Sequence, residues 1–225
     1  TAMEDVHHFV KLNSTAFSQS PWTMFSILFL EIILIIAYCL LWPLLCVAVT
    51  RAGVMHRNFR IQICLATSYA LLGQLALLIM IYYQLYDLPL DADALMFVCD
   101  LIKVTVLGYY CTLMGSFAVE RYVATHYWRW YEKGSDSTLL VLLTAEFIMI
   151  MPNFIEAVLN LTEIVSIESN FVLLAILFSI SFAAFLRIYH VNVGLSNFLS
   201  QGAQLGSYSV SRTFQVRENV VVMKV

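Results

Sequence analysis

Apolar stretches long enough to cross a bilayer recur along this chain, and they leave a soluble fold nowhere to put them. Thr23 to Thr50 carries a single charge, Glu31, and Ile61 to Tyr86 carries none. Ala94 to about Val119, Ser137 to about Leu159 and Phe171 to about Ile188 complete a set of five. A helix needs about 20 residues to cross the hydrocarbon core. Backbone groups in lipid must pair internally, and the runs lack the apolar–polar alternation of barrel strands. The expected fold is therefore all-α, a polytopic membrane helix bundle with five transmembrane helices. Composition agrees: 61% of the residues are hydrophobic and 12% charged, against about 45–50% and 25% in soluble domains.

The division that follows is an extracellular N-terminus (1–22), a bundle (23–190) and a cytoplasmic tail or approach to a further helix (191–225). Spans are expected at about 23–50, 61–86, 94–121, 137–159 and 168–190, with proline kinks at Pro43 and Pro152. Basic loop residues set the orientation. Arg51, Arg57 and Arg60 follow the first run, Arg121, Arg129 and Lys133 the third, and Arg212, Arg217 and Lys224 the fifth. The opposite side has Lys11 against Glu4, Asp5, Asp87, Asp91, Asp93, Glu163 and Glu168. The basic side is read as cytoplasmic, with the N-terminus outside. Two sequons, Asn13-Ser14-Thr15 and Asn160-Leu161-Thr162, fall on that outer side and are glycosylation candidates.

Chemistry is sparse. The five cysteines sit in or beside apolar runs without a CxxC pair or metal-ligand spacing, so they read as small buried side chains. No metal and no cofactor are expected. No HExxH, GxSxG or P-loop pattern occurs, so the chain reads as no enzyme. A net charge of −3 points to no nucleic acid partner; membrane lipid is the implied surrounding.

The strongest local motif is Glu120-Arg121-Tyr122 at the inner end of the third run. An acid–Arg–aromatic triplet there marks seven-helix G-protein-coupled receptors, and a snorkelling arginine is the plainer reading. The flanks extend the motif. Ala118-Val119 precedes it, Val123-Ala124-Thr125-His126-Tyr127 follows, and Tyr131-Glu132-Lys133 comes after. Tyr208-Ser209-Val210-Ser211 and Phe214-Gln215-Val216-Arg217-Glu218-Asn219 lie further on. Together these resemble the nematode serpentine chemoreceptors of class E, the Sre family, from the first run to the end of the chain.

The resemblance implies seven helices, so the chain would stop before helix six, as a fragment or truncated product. It also implies a small-molecule chemical cue bound in the outer bundle and a heterotrimeric G protein engaged on the inner side. Glu120, Arg121 and Tyr122 would form the G-protein switch, in the plasma membrane of sensory neuron cilia. Departures from rhodopsin-like receptors are clear. Cys99 has no partner cysteine in 159–170, the second run has Gln74 in place of an Asp, and the fourth lacks Trp.

Intramembrane ionisable groups are costly and frequently functional. Asp100 and Lys103 share a helix face and are candidate ligand-binding residues, with Tyr109 and Tyr110 deeper along the same helix. An internal ion pair is the plainer alternative. Glu31 and Glu146 are expected to make helix–helix hydrogen bonds, and Glu156 to lie exposed at the interface. Tyr127, Trp128, Trp130 and Tyr131 read as an inner aromatic belt. A transporter or channel subunit with Glu31, Asp100, Lys103 and Glu146 on an ion path is the competing function, though no half-repeats are evident. A non-functional receptor fragment is another.

Overall fold

A computed structural model describes residues 21–52, 57–86, 94–127, 136–162, 164–202, 216–217 and 220–221. Five long helices account for nearly all of them: α1 (Pro21–Arg51), α2 (Arg57–Leu85), α3 (Ala94–His126), α4 (Asp136–Leu161) and α5 (Ile167–Gly202). Among the described residues there is no strand. Each helix holds a stretch long and apolar enough to cross a membrane. The chain is thus a multi-pass helical membrane bundle.

Helix α3 is the hub. It packs along α2, α4 and α5, while α1 leans on α2, and α4 and α5 touch each other sparsely. Lipid is as apolar as leucine, so close packing and hydrogen bonds must supply helix association. Two glycines on α3 show the packing. A Cβ on Gly108 would stand 2.8 Å from Asn153 Oδ1, and one on Gly115 would stand 3.0 Å from Ser181 Oγ. Hydrogen at these positions lets α4 and α5 approach the hub. The α1–α2 seam is apolar, built on Leu28, Ile35 and Ile81. It also carries a bond from Tyr38 OH to the Thr67 carbonyl, 2.8 Å.

Two helices extend beyond their expected membrane spans. α3 runs on past 121 to His126, and α5 past 190 to Gly202. At about 1.5 Å per residue both exceed the roughly 30 Å hydrocarbon layer. Packing sustains the extra turns: Asn192 of α5 is fully buried and accepts a 2.8 Å bond from Thr125 Oγ1 of α3. Neither Pro43 nor Pro152 ends its helix. Beside Pro152, Asn153 Nδ2 donates to the Met149 carbonyl at 2.7 Å.

The bundle is inside-out in polarity. Large apolar side chains of α1 and α5, such as Phe29, Leu40, Phe171 and Ile180, are exposed. Buried positions are frequently polar instead. On α4 the buried polar residues are Glu146, Asn153, Glu156 and Asn160. Their spacings of seven, three and four place them on one helix face.

Candidate functional site

The basic end of α3 presents a closed electrostatic unit. The Arg121 side chain is 0% exposed and Glu120 is buried beside it. Adjacent residues on a helix normally diverge, but the long arginine folds back. Its Nε donates to Glu120 Oε2, and its Nη2 donates to Glu120 Oε1 at 2.7 Å. This two-point geometry suits guanidinium and carboxylate. The Phe59 ring of α2 lies 4.4 Å from the Arg121 Cζ, giving a cation–π contact. Phe117 tilts against Phe59 at 5.3 Å between ring centres. A buried charge is tolerated only when paired and hydrogen-bonded, and both conditions hold here. One turn further on, Thr125 Oγ1 donates to the Arg121 carbonyl at 2.7 Å and bridges to Asn192. The unit therefore ties α2, α3 and α5. Tyr122 points away from it, exposed and stacked on His126 at 4.1 Å.

A second polar unit lies near the middle of α3. The Glu146 carboxylate of α4 accepts from Gln62 Nε2 of α2 at 2.6 Å, from Ser116 Oγ of α3, and from Tyr109 OH of α3 at 2.7 Å. Gln62 Nε2 also donates to Ser116 Oγ at 2.6 Å. Tyr69 of α2 packs edge-on against Tyr109 at 5.1 Å. Three donors from two neighbouring helices converge on one carboxylate, in a medium where each unmade bond is costly. Glu146 thus makes the helix–helix hydrogen bonds expected of it. Just beyond, Asn153 Nδ2 donates to Thr112 Oγ1 at 3.0 Å.

The acidic end differs. Asp100 is buried, and the half-buried Lys103 lies in the fields of Asp100 and of Glu31 on α1. Tyr109 and Tyr110 lie further along α3. Tyr109 turns inward to Glu146, and Tyr110, partly exposed, donates to the Ala66 carbonyl of α2 at 2.8 Å. Glu156 departs from its expected interfacial exposure: it is 7% exposed, because its face of α4 packs inward with Asn153 and Ala157. Asn160, a sequon residue, sits in the last turn of α4 and is also buried.

The other sequon, the acidic loop at 87–93, Trp128, Trp130, Tyr131 and most of the tail motif lie outside the described residues. Of that motif, Val216 is buried and Arg217 exposed. All five cysteines are free, Cys99 included. Among the described residues no group of three or more metal-ligating side chains occurs.

Comparison with known proteins decides the family. The model of the Sre G protein-coupled chemoreceptor family matches residues 90–225. The chain belongs to the Sre family. The matched region starts at residue 90, so it covers α3 to the tail, whereas the sequence resemblance extends from the first run. Both the Glu120–Arg121 pair and the Glu146 carboxylate fall within the Sre match, whereas Gln62 and Phe59, their partners on α2, lie outside it. No curated protein and no solved structure matches the chain.

Sequence reasoning found the triplet of this Sre chain and, in its flank, Thr125, but missed Gln62, Ser116, Asn192 and Phe59. A signal existed. Polar residues within apolar runs that recur at three- and four-residue spacing, as on α4, mark the face turned from lipid.

Proposed function

We propose that this chain is a chemosensory receptor that binds a small-molecule cue towards the acidic end of its bundle. It then signals to a heterotrimeric G protein at the basic end. The observation that carries the reading is the Glu120–Arg121 pair: fully enclosed, two-point and capped by Phe59, at the basic end of the hub helix. Enclosed in this way, Arg121 is withheld from any partner outside the bundle. Releasing it requires Glu120 to be neutralised or α2 and α5 to move away from α3. A ligand achieves that only by binding the open arrangement more tightly than the closed one.

The basic end is cytoplasmic in this reading and the N-terminus is outside, as positive-inside asymmetry requires. The plasma membrane of sensory neuron cilia is the proposed location. Asn13 and Asn160 remain glycosylation candidates, although Asn160 is enclosed in the folded bundle.

The test is basal G-protein activation in cells expressing the chain. Glu120→Gln removes one charge of the lock and should raise basal activation. Arg121→Ala should abolish coupling while surface expression persists. Unchanged activation in both variants would refute the reading. A tail tag accessible from outside unpermeabilised cells would overturn the orientation.

A further inference from the structure

The acidic ends of α4 and α5 bury polar groups that the protein itself does not satisfy. Glu156 and Asn160 stand four residues apart on one face of α4, each 7% exposed. Asn170, in the first turns of α5, is 2% exposed. Glu156 Oε1, Asn160 Nδ2 and Asn170 Oδ1 have no hydrogen-bond partner. The connection from α4 to α5 is tight: the amides of Ile164 and Val165 both return to the Leu159 carbonyl. It therefore sets the start of α5 beside the end of α4. These two helices touch sparsely and both pack on α3. Asn160 follows Asn153 by seven residues and Asn170 precedes Ser181 by eleven, so both share the helix faces that meet Gly108 and Gly115 of α3 and border the wedge between the three helices. Glu156 also lies within electrostatic reach of Cys111 on α3.

Leaving one buried polar group unpaired costs about 1–3 kcal/mol, and more for a charged one. Three such groups at one helix junction, in a bundle that satisfies Glu146 with three donors, define a site with a stated complement. Two acceptors, Glu156 and Asn170, call for donors, and the Asn160 amide donates to an acceptor. The carboxylate makes the preferred donor cationic. The loop acids Asp87, Asp91 and Asp93 belong to the same end by the sequence reading and would concentrate cations there.

We propose that this wedge is a binding site for a primary ammonium carrying an adjacent hydroxyl or carbonyl, with Glu156 as its counter-ion and Asn160 and Asn170 as its orienting partners. The inference deepens the receptor reading by naming the class of cue. It is tested by binding alone, so the two fail separately. An amino-alcohol can arrive free or as a phosphatidylethanolamine headgroup, and the arms below separate those sources.

The full chain is placed in phosphatidylcholine nanodiscs, and Cys111 modification by cationic aminoethyl methanethiosulfonate is followed by peptide-resolved mass spectrometry. Free ethanolamine should slow labelling saturably, whereas ethylene glycol, which lacks the ammonium, should not. Glu156→Gln should weaken protection by about 10- to 100-fold, the range for one hydrogen bond to a charged group. Asn170→Leu should weaken it by a smaller factor, and provides a second variant should Glu156→Gln misfold. Glu31→Gln should leave protection unchanged. Protection in discs doped with phosphatidylethanolamine, without free amine, would support the site and assign it to the lipid. Protection from neither source overturns the proposal. So does equal protection by ethylene glycol, or full protection in Glu156→Gln.

Discussion

The two ends of the bundle handle buried polarity to different degrees. From Tyr109 to Thr125, the buried groups of α3 find partners on three neighbouring helices: Gln62 and Phe59 on α2, Glu146 on α4 and Asn192 on α5. At the acidic end, Glu156, Asn160 and Asn170 are just as buried yet leave polar atoms unmet. In lipid, hydrogen bonds are a main source of specific helix association. The shared bonds around Glu146 and Thr125 therefore help hold the bundle together, although Gln62 Oε1 and Asn153 Oδ1 within those units also lack a partner, and the acidic end relies less on bonds of this kind. The contrast runs along the bundle from its basic to its acidic end and involves α3, α4 and α5 together.

The contrast is breakable by mutation. The largest effect should come from Glu120→Ala, which removes the carboxylate paired with the buried Arg121 guanidinium. Removing one partner of a buried pair costs about 3–5 kcal/mol, read as a loss of resistance to denaturation in mixed micelles. A stability equal to wild type would show that this pairing does not hold the bundle together.

Gly108→Val comes next. Its side chain would enter the space of Asn153, which is held by bonds to Thr112 and Met149. Overpacking of this kind costs about 1–3 kcal/mol, and the same unfolding assay should show it. Tyr109→Phe removes one of the three donors to Glu146. Interhelical hydrogen bonds in membranes average about 0.6 kcal/mol, up to about 1.7, so a loss in that range is expected. A Tyr109→Phe, Glu146→Gln double-mutant cycle should return a nonzero coupling.

The smallest effect sharpens the comparison most. Asn170→Leu replaces an unmet buried polar group by an apolar one of similar size, a change that can be neutral or stabilising. Stability should stay within about 0.5 kcal/mol of wild type or rise. A loss near that of Tyr109→Phe would mean that Asn170 is structurally satisfied and that the two ends do not differ.

Much of this was legible without coordinates. Apolar run length dictates membrane-crossing helices because a bilayer offers unpaired backbone no partner. The triplet Glu120-Arg121-Tyr122 and its flanks pointed to the Sre family, which the match over residues 90–225 bears out. Helix ends were less legible. α5 reaches Gly202 because Asn192 packs on Thr125, a contact with no trace in local hydropathy. The polar network was hidden for the same reason. Gln62, Ser116 and Glu146 are 84 residues apart at their extremes, and only the packing of α2 and α4 against α3 makes them one unit. Glu156 was assigned to the interface from its depth alone, and the inward turn of its face of α4 buries it. The sequence by itself determined the helices, their number among the described residues and the family, since those follow from local polarity and a contiguous motif. Tertiary structure decided which polar groups are spent on one another and which are left open, since that depends on faces, and faces exist only once helices meet.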